Sequence, residues 1–482
     1  MNRLMQWMMA AALICSATVI TSCHYVSNNS ADSDRTDNKE KTIWVLSDTH
    51  VMAPELLQGT DKAEEVSQDS KLLLYSAEIL DWVVDSALSA NPDLVLITGD
   101  LTEDGDLLSH KLVVSKLSQL LSAGIKVAVI PGNHDIDNTA GPTSSQQFAE
   151  LYKNLGYNLA YARDKTSLSY VCEPLDGLVL LCIDTASGSI NESSLTWLLD
   201  QADKARAKGK QVVAMQHHNI IEHYDRQRQM QPRYILENHR EVSQKMMQHG
   251  IHMVFTGHYH ANDIAQYKTD DDYLVDVETG SLVAYPNAWR KIKVNDDFTR
   301  WDFSIGYVKK IPSLADVQKL SYQLCINALP GLVKSNADVL WPALDRKRSV
   351  LTNIQLDGAI IPTTEEEFRE WFAEGMGEKM SQALIMHFEG NEGRNPKSAA
   401  LIKDLRETLV GMFRKRFADH HVPDVKAAFL KLFVGAYYDK GFRLQMESML
   451  TDTNQLSEEG FSSITNDLNI ELYIGKATIK QH

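Results

Sequence analysis

Cysteine is scarce in this chain of 482 residues, with five in all and no C-x-x-C or C-x-x-H pairing. That scarcity excludes a zinc ribbon and argues against a disulfide-stapled scaffold. Positive charge is also short: 48 Lys and Arg stand against 64 Asp and Glu, a formal net charge of −16. A surface of that sign repels a phosphate backbone instead of releasing its counterions, which argues against duplex nucleic acid as a partner. Bound divalent cations can reverse the preference of a local site, so a small anionic substrate stays compatible with the composition. Thirteen Pro and 25 Gly are too few for collagen-like or linker-dominated sequence. No G-x-S-x-G elbow, P-loop or G-x-G-x-x-G run occurs, so the usual signatures of serine hydrolases, P-loop nucleotidases and dinucleotide enzymes are missing.

What remains is ordinary globular composition, 44% hydrophobic and 23% charged. Because single cores stop growing near about 250–300 residues, two domains are expected. The N-terminus carries the one long apolar run: Met-Asn-Arg, then Leu4 to Ile20, then Thr21-Ser22-Cys23. This is the pattern of a secretory signal, and interruptions at Gln6, Cys15, Ser16 and Thr18, with no stop-transfer cluster behind it, argue against a membrane span. Ile20-Thr21-Ser22-Cys23 resembles the lipobox of bacterial lipoproteins, which implies a lipid on Cys23 and an exported, envelope-anchored protein. His24 to Lys41 is almost free of apolar residues and has the composition of a flexible tether. The expected organisation is a signal over 1–22, a tether over 23–41, a catalytic domain over 42–310 and a helical domain over 311–482.

From Thr42 to about Lys310, short β-branched runs alternate with longer amphipathic ones, the pattern of a layered α/β domain. Strands are predicted at Ile43 to Leu46, Leu94 to Ile97, Val127 to Ile130, Leu178 to Leu181, Val212 to Met215 and Met253 to Phe255, each apolar enough to be covered on both faces. Helices are predicted at Leu72 to Leu88, Leu107 to Leu121, Leu195 to Ala207 and Tyr234 to Met247. From Leu274 to Val308 no helix intervenes and antiparallel strands are expected. Beyond Pro312 the apolar residues follow the helical period through Leu324, Phe368, Trp371, Phe372, Leu384, Leu405, Phe413, Val425, Phe429, Leu432 and Phe433, with no catalytic spacing. Cys172 and Cys182 flank a turn, but a bond between adjacent strands is strained, so buried thiols are expected; Cys182, inside an apolar strand, is no nucleophile.

The chemistry gathers where the predicted strands end. After them come Asp48-Thr49-His50, Gly99-Asp100, Gly132-Asn133-His134-Asp135, His217-His218 and Gly257-His258-Tyr259-His260. Imidazole nitrogens mixed with carboxylate and amide oxygens suit borderline divalent metals such as Mn, Fe or Zn. Any one of these pieces alone is more often a solvated turn; their joint, ordered occurrence at strand ends is the signal. Further candidates near the site are a basic loop with Arg226, Arg228 and Arg233, the polar segment Ala53 to Ser70 that starts beside the first motif, and the turn Gly280 to Pro286.

In this order, D-x-H, G-D, G-N-H-D, a His pair and G-H-x-H resemble the motif set of the calcineurin-like metallophosphoesterases, over roughly 42–310. Thr98 to Gly105 is similar to the branch that includes bacterial cyclic-nucleotide phosphodiesterases. The resemblance implies a four-layer α-β-β-α sandwich, here followed by an all-helical C-terminal domain. It implies two divalent transition metal ions, one held by Asp48, His50 and His260, the other by Asn133, His217 and His258, with Asp100 bridging them. Asn219 stands where that family usually has Pro, so the ligand within the pair is His217 or His218, the first favoured. His134 is implied as the general acid, oriented by Asp135. Two such ions about 3.5–4 Å apart acidify a bridging water and clamp a phosphoester for in-line attack. The substrate is a small phosphoester, diester favoured over monoester; the contrasting reading is a catalytically silent binding lipoprotein on the same fold, which the filled ligand positions disfavour.

Overall fold

Residue-by-residue burial explains why the apolar runs become strands: all four residues of Leu94–Ile97 and all five of Leu178–Cys182 are shielded from solvent. The computed structural model describes residues 40–136, 143–345, 362–390, 392–422, 443–452, 461–463, 467–474 and 478–481. The expected signal and the expected tether up to residue 39, Cys23 included, and the apolar positions Val425, Phe429, Leu432 and Phe433 lie outside the described residues.

Two mixed sheets are stacked. The first has the order β15-β14-β12-β11-β1-β2-β3, from β1 (Lys41–Leu46), β2 (Leu94–Ile97), β3 (Lys126–Val129), β11 (Ala288–Val294), β12 (Arg300–Tyr307), β14 (Ile470–Tyr473) and β15 (Thr478–Gln481). The second has the order β13-β9-β10-β8-β7-β6-β5-β4, from β4 (Ala160–Arg163), β5 (Tyr170–Leu175), β6 (Leu178–Cys182), β7 (Gln211–Met215), β8 (Met253–Thr256), β9 (Ile264–Lys268), β10 (Tyr273–Glu278) and β13 (Phe461–Ser463). β1, β2 and β3 run parallel, as do β6, β7, β8 and β10. The expectation of antiparallel strands from Leu274 onward holds for β11 and β12 and for the edge of β10 that pairs with β9, while the other edge of β10 runs parallel to β8.

The helices are α1 (Thr60–Ser67), α2 (Ser76–Ala90), α3 (Leu107–Ser122), α4 (Ser145–Leu151), α5 (Glu192–Arg206), α6 (Gln227–Met230), α7 (His239–Gln248), α8 (Val317–Asp345), α9 (Glu365–Glu389), α10 (Ser398–Asp419) and α11 (Arg443–Thr451). Successive side chains of a strand point to opposite faces. Leu180, Val213 and Phe255 accordingly enter the main core with the first sheet, α2 and α3, while Leu181, Ala214 and Val254 enter a second core under Leu198 of α5 and Met246 of α7. The result is the expected layering of helices, two sheets and helices. The helix expected from Tyr234 begins only at His239, because Ile235 bridges to Asn219 and holds the chain extended there. Cys172, Cys182 and Cys325 are buried free thiols, and in the β5–β6 hairpin Cys172 faces Leu180 and Cys182 faces Tyr170, so the two are out of register.

The C-terminal part is helical over α8 to α11, with Phe368, Met376, Met380 and Leu405 in a third core that also takes in Tyr224, Tyr259 and Ala261. It is not helical throughout. Its last described segments return as β13 on β9 and as β14–β15 on β12, carrying Ile470 and Leu472 into the main core. Period-two signals this short are hard to see beside long helices. Among the described residues no helix is long and apolar enough to cross a membrane.

Truncating Leu472, fully buried against β12, is expected to cost about 2–5 kcal/mol. In urea unfolding, Leu472→Ala should lower the midpoint of the transition that reports the main core; a main transition left in place would mean that the C-terminal strands fold apart from it.

Candidate metal centre

Each motif residue sits just past a strand end. β1 delivers Asp48 and His50, β2 Asp100, β3 Asn133 and His134, β7 His217, and β8 His258 and His260. Five of these take left-handed backbone angles, with φ of 50° at Asp48, 40° at His50, 48° at Asp100, 73° at His258 and 67° at His260. Non-glycine residues adopt that region at a cost, and it collects at functional sites where the surrounding fold enforces it. Close packing needs glycine at two points: a Cβ on Gly132 would lie 2.1 Å from Asp100 Oδ1, and one on Gly257 would lie 1.8 Å from Ser47 Oγ.

The side chains converge in two groups that share a middle. Asp48, His50 and His260 offer ligand atoms within 4.8 Å of one another, as do Asp100, His217 and His258. In the first group His50 Nε2 lies 3.3 Å from His260 Nε2, which is 3.3 Å from Asp48 Oδ1. In the second, His217 Nε2 lies 3.1 Å from Asp100 Oδ2, 3.1 Å from His258 Nδ1 and 3.2 Å from Asn133 Oδ1. Asp100 Oδ2 is also 3.8 Å from His50 Nε2, which sets this carboxylate between the groups. His217, not His218, therefore belongs to the cluster. His218 is turned toward Thr185 Oγ1 at 3.2 Å and packs on the His258 ring.

The second nitrogen of each imidazole decides what these contacts mean. His217 Nδ1 donates to the Thr98 carbonyl at 2.9 Å and His258 Nε2 to the Arg233 carbonyl at 3.0 Å, while His50 Nδ1 lies 2.8 Å from the carboxylate oxygen Glu103 Oε2. An N–H spent on one side leaves a lone pair on the other. Lone pairs of His217 and His258 thus face one another beside His50 and the buried Asp48 and Asp100, and Asp48 Oδ1 has no hydrogen-bond donor. Such an assembly of acceptors fits a cation, and nitrogens with carboxylate and amide oxygens fit a borderline divalent one. Burial holds the His50 imidazolium down to about 4, with Lys71 adding to it, and burial and His217 hold His258 down to about 3, so both rings are neutral as ligands must be. Burial opposes charge on His217 too, but Asp100 outweighs it and raises that ring to about 9; carboxylates that attract a proton so strongly attract a metal ion in its place.

Asp135 has a different place from the expected one. Its carboxylate accepts from the backbone amides of Leu101 at 3.0 Å, Thr102 at 2.8 Å and Gly132 at 2.9 Å, tying the second loop to the third. The His134 ring is oriented instead by its Nδ1–H on the Glu103 carbonyl at 2.6 Å, while its backbone amide donates to Asp100 Oδ1 at 2.9 Å. Residue spacing could not distinguish these partners, because Asp135 is next to His134 in sequence but faces the backbone beneath it. Glu103 is the functional residue that spacing missed: it aligns His50 and pairs with Lys71 Nζ at 2.7 Å.

A cleft of about 650 Å³ opens over the cluster. Of the further candidates, Arg233, Tyr285 and Asp69 to Lys71 reach its wall, whereas Arg228 is spent on the carbonyls of Leu236 and Glu237. The segment after Ala53 is a short 3₁₀ turn followed by α1. Cys325, Ala328 and Leu329 of α8 and Phe388 of α9 form part of the same wall, a role for the helical region that its sequence pattern did not announce.

Buried Asp48, His50, Asp100 and His217 with partly buried Asn133, His258 and His260, at the ends of strands in a helix-flanked double sheet, make a candidate metal centre. Residues 41–262 match the family model of the calcineurin-like phosphoesterases. Over 216 residues it is 21% identical to a probable cyclic nucleotide phosphodiesterase of Fibrobacter succinogenes, covering 43% of this chain and 76% of that one. Over 184 residues it is 27% identical to a probable cyclic nucleotide phosphodiesterase of Moraxella catarrhalis, covering 37% of this chain and 62% of that relative, just under two thirds of its length. Among solved structures, a dimetal phosphatase from Danio rerio is similar at TM-score 0.40 and 13% identity, over 55% of this chain and 95% of that one. A purple acid phosphatase from yellow lupin seeds is similar at TM-score 0.35 and 10% identity, over 56% and 52%.

The two adjacent histidines should separate cleanly in metal content. By elemental analysis of purified protein, His217→Ala is expected to lose bound transition metal and His218→Ala to retain it; the reverse pattern would reassign the ligand.

Proposed function

We propose that this chain is an exported, metal-dependent phosphoesterase that cleaves a small phosphodiester. The observation that carries the reading is the convergence of the ring nitrogens of His50, His217 and His258 with Asp48 and Asp100 at the floor of the cleft. Asp48, His50 and His260 would hold one divalent ion, Asn133, His217 and His258 the other, and Asp100 would contact both. When bound, such a pair supplies Lewis acidity toward phosphoryl oxygens and an acidified water as nucleophile.

The chain's own residues account for the rest. The Glu103 carbonyl can only accept, so His134 Nδ1 keeps its hydrogen and Nε2 is the nitrogen left to exchange a proton. His134 lines the cleft, and its ring stands edge-on to His50 with centroids 4.9 Å apart, which puts Nε2 in reach of an ester oxygen held over the cluster. His134 then donates its Nε2 proton to the departing alkoxide. Arg233 and Lys71 bring positive charge to the cleft, and Tyr234, Tyr285 and Phe388 offer aromatic surface to an organic ester group. The names of the Fibrobacter and Moraxella relatives favour a diester, a cyclic nucleotide in the first instance. The lipobox-like Ile20 to Cys23 supports export and envelope anchoring.

His134→Ala is expected to keep its metal and lose at least about 10²-fold in turnover, the lower end for a general acid. Full activity in that variant would remove His134 from the mechanism. Among cyclic nucleotides, glycerophosphodiesters and simple monoesters offered to Mn-, Fe- and Zn-loaded protein, diesters should be turned over faster; strict preference for monoesters would overturn the diesterase reading. Metabolic labelling with palmitate should mark the wild type and not Cys23→Ser, and equal labelling would refute the anchor.

A further inference from the structure

A second group of ionisable side chains lies beneath the first, where the β8–β9 connection meets the helical region. Asp263, Glu392 and Asp467 are fully buried and Asp452 is 7% exposed. Asp263, Asp452 and Asp467 offer ligand atoms within 4.8 Å of one another, and so do Asp263, His387 and Glu392. Four carboxylates from four separate stretches of chain thus share one buried volume with an imidazole.

The positive charge nearby is divided among more acceptors than it can neutralise. Arg290, itself fully buried, donates to the backbone carbonyls of Glu278, Asp467 and Asp263. His223 stands 3.4 Å from Asp276 and 3.3 Å from Asp263. His387 Nδ1 is taken by Glu392 Oε1 at 2.5 Å. Asp263 Oδ2 faces His223 Nδ1 at 3.3 Å, whereas Glu392 Oε2 and Asp452 Oδ2 have no hydrogen-bond donor. Buried acceptors that lack a donor are costly, and buried carboxylates more so unless a countercharge is present.

We propose that these carboxylates form a structural site for one hard divalent cation, Ca²⁺ or Mn²⁺, centred on Asp263 and completed by Glu392, Asp452 and Asp467. Carboxylate oxygens from flexible connections suit such ions, which take several oxygen ligands. The position gives the ion a task. Asp263 follows His258 and His260 by a few residues, Ala261 N is held by Glu278 Oε1 at 3.1 Å, and Asn262 Nδ2 donates to the Phe388 carbonyl at 3.1 Å. An ion at Asp263 fastens the loop that carries two imidazoles of the upper cluster to the turn after α9 and the end of α11. The site does not depend on the phosphoesterase reading.

The test uses the full chain with the upper cluster disabled by His50→Ala and His217→Ala, so that only the lower site can respond. Thermal unfolding in EDTA is compared with unfolding after addition of Ca²⁺ alone or Mn²⁺ alone. The expected result is a rise of several degrees in melting temperature with at least one ion, one equivalent of that ion per chain by equilibrium dialysis, and loss of both when Asp452→Asn is added. The ion that acts identifies the preferred cation. Should Asp452→Asn not fold, dialysis of the parent carries the test. No binding of either ion, or an Asp452→Asn chain that is more stable in EDTA with metal content unchanged, would overturn the proposal and show that the carboxylates share protons instead.

Discussion

The constraint on which the structure turns is that several imidazole lone pairs and two carboxylates are forced into one small buried space. Backbone carbonyls of Thr98 and Arg233 take the outer N–H groups of His217 and His258, and the Glu103 carboxylate lies beside the outer nitrogen of His50. The inner nitrogens sit 3.1 to 3.3 Å apart beside two carboxylates, an arrangement that fits a cation. The loops carry strained backbone to reach this arrangement, and Asp135 stitches two of them through amide hydrogen bonds. A rigid double sheet beneath bears that strain.

Much of the fold was legible because its strands are buried on both faces. Continuous apolar runs such as Leu94–Ile97 and Leu178–Cys182 have few alternatives once covered by helices, and the positions of the sheet strands followed. Pairing direction was less legible: β10 looks the same in sequence whether it runs with β8 or against it. The closing strands β13 to β15 were hidden, since three or four residues of alternation carry little signal after helices of more than twenty residues such as α9 and α10.

The site was legible to a different depth. Ligand types stand out because Asp, His and Asn directly after a buried strand serve no core purpose, and the structure gathers Asp48, His50, Asp100, Asn133, His217, His258 and His260 in one place. Second-layer contacts were not readable. Glu103 and Lys71 reach the cluster through side-chain length and a bend of the chain, and the Glu103 carbonyl that orients His134 is a backbone group with no sequence signature. The same holds for the helical region: the period of α8 and α9 predicted helices but not that Leu329 and Phe388 would wall the cleft.

Anomalous diffraction recorded at the Mn, Fe and Zn edges from crystals of the full chain tests the central claim most directly. Two peaks are predicted, one among Asp48, His50 and His260, the other among Asn133, His217 and His258, on either side of Asp100. An ordered site with no anomalous peak, the imidazoles bonded only to waters, would contradict it.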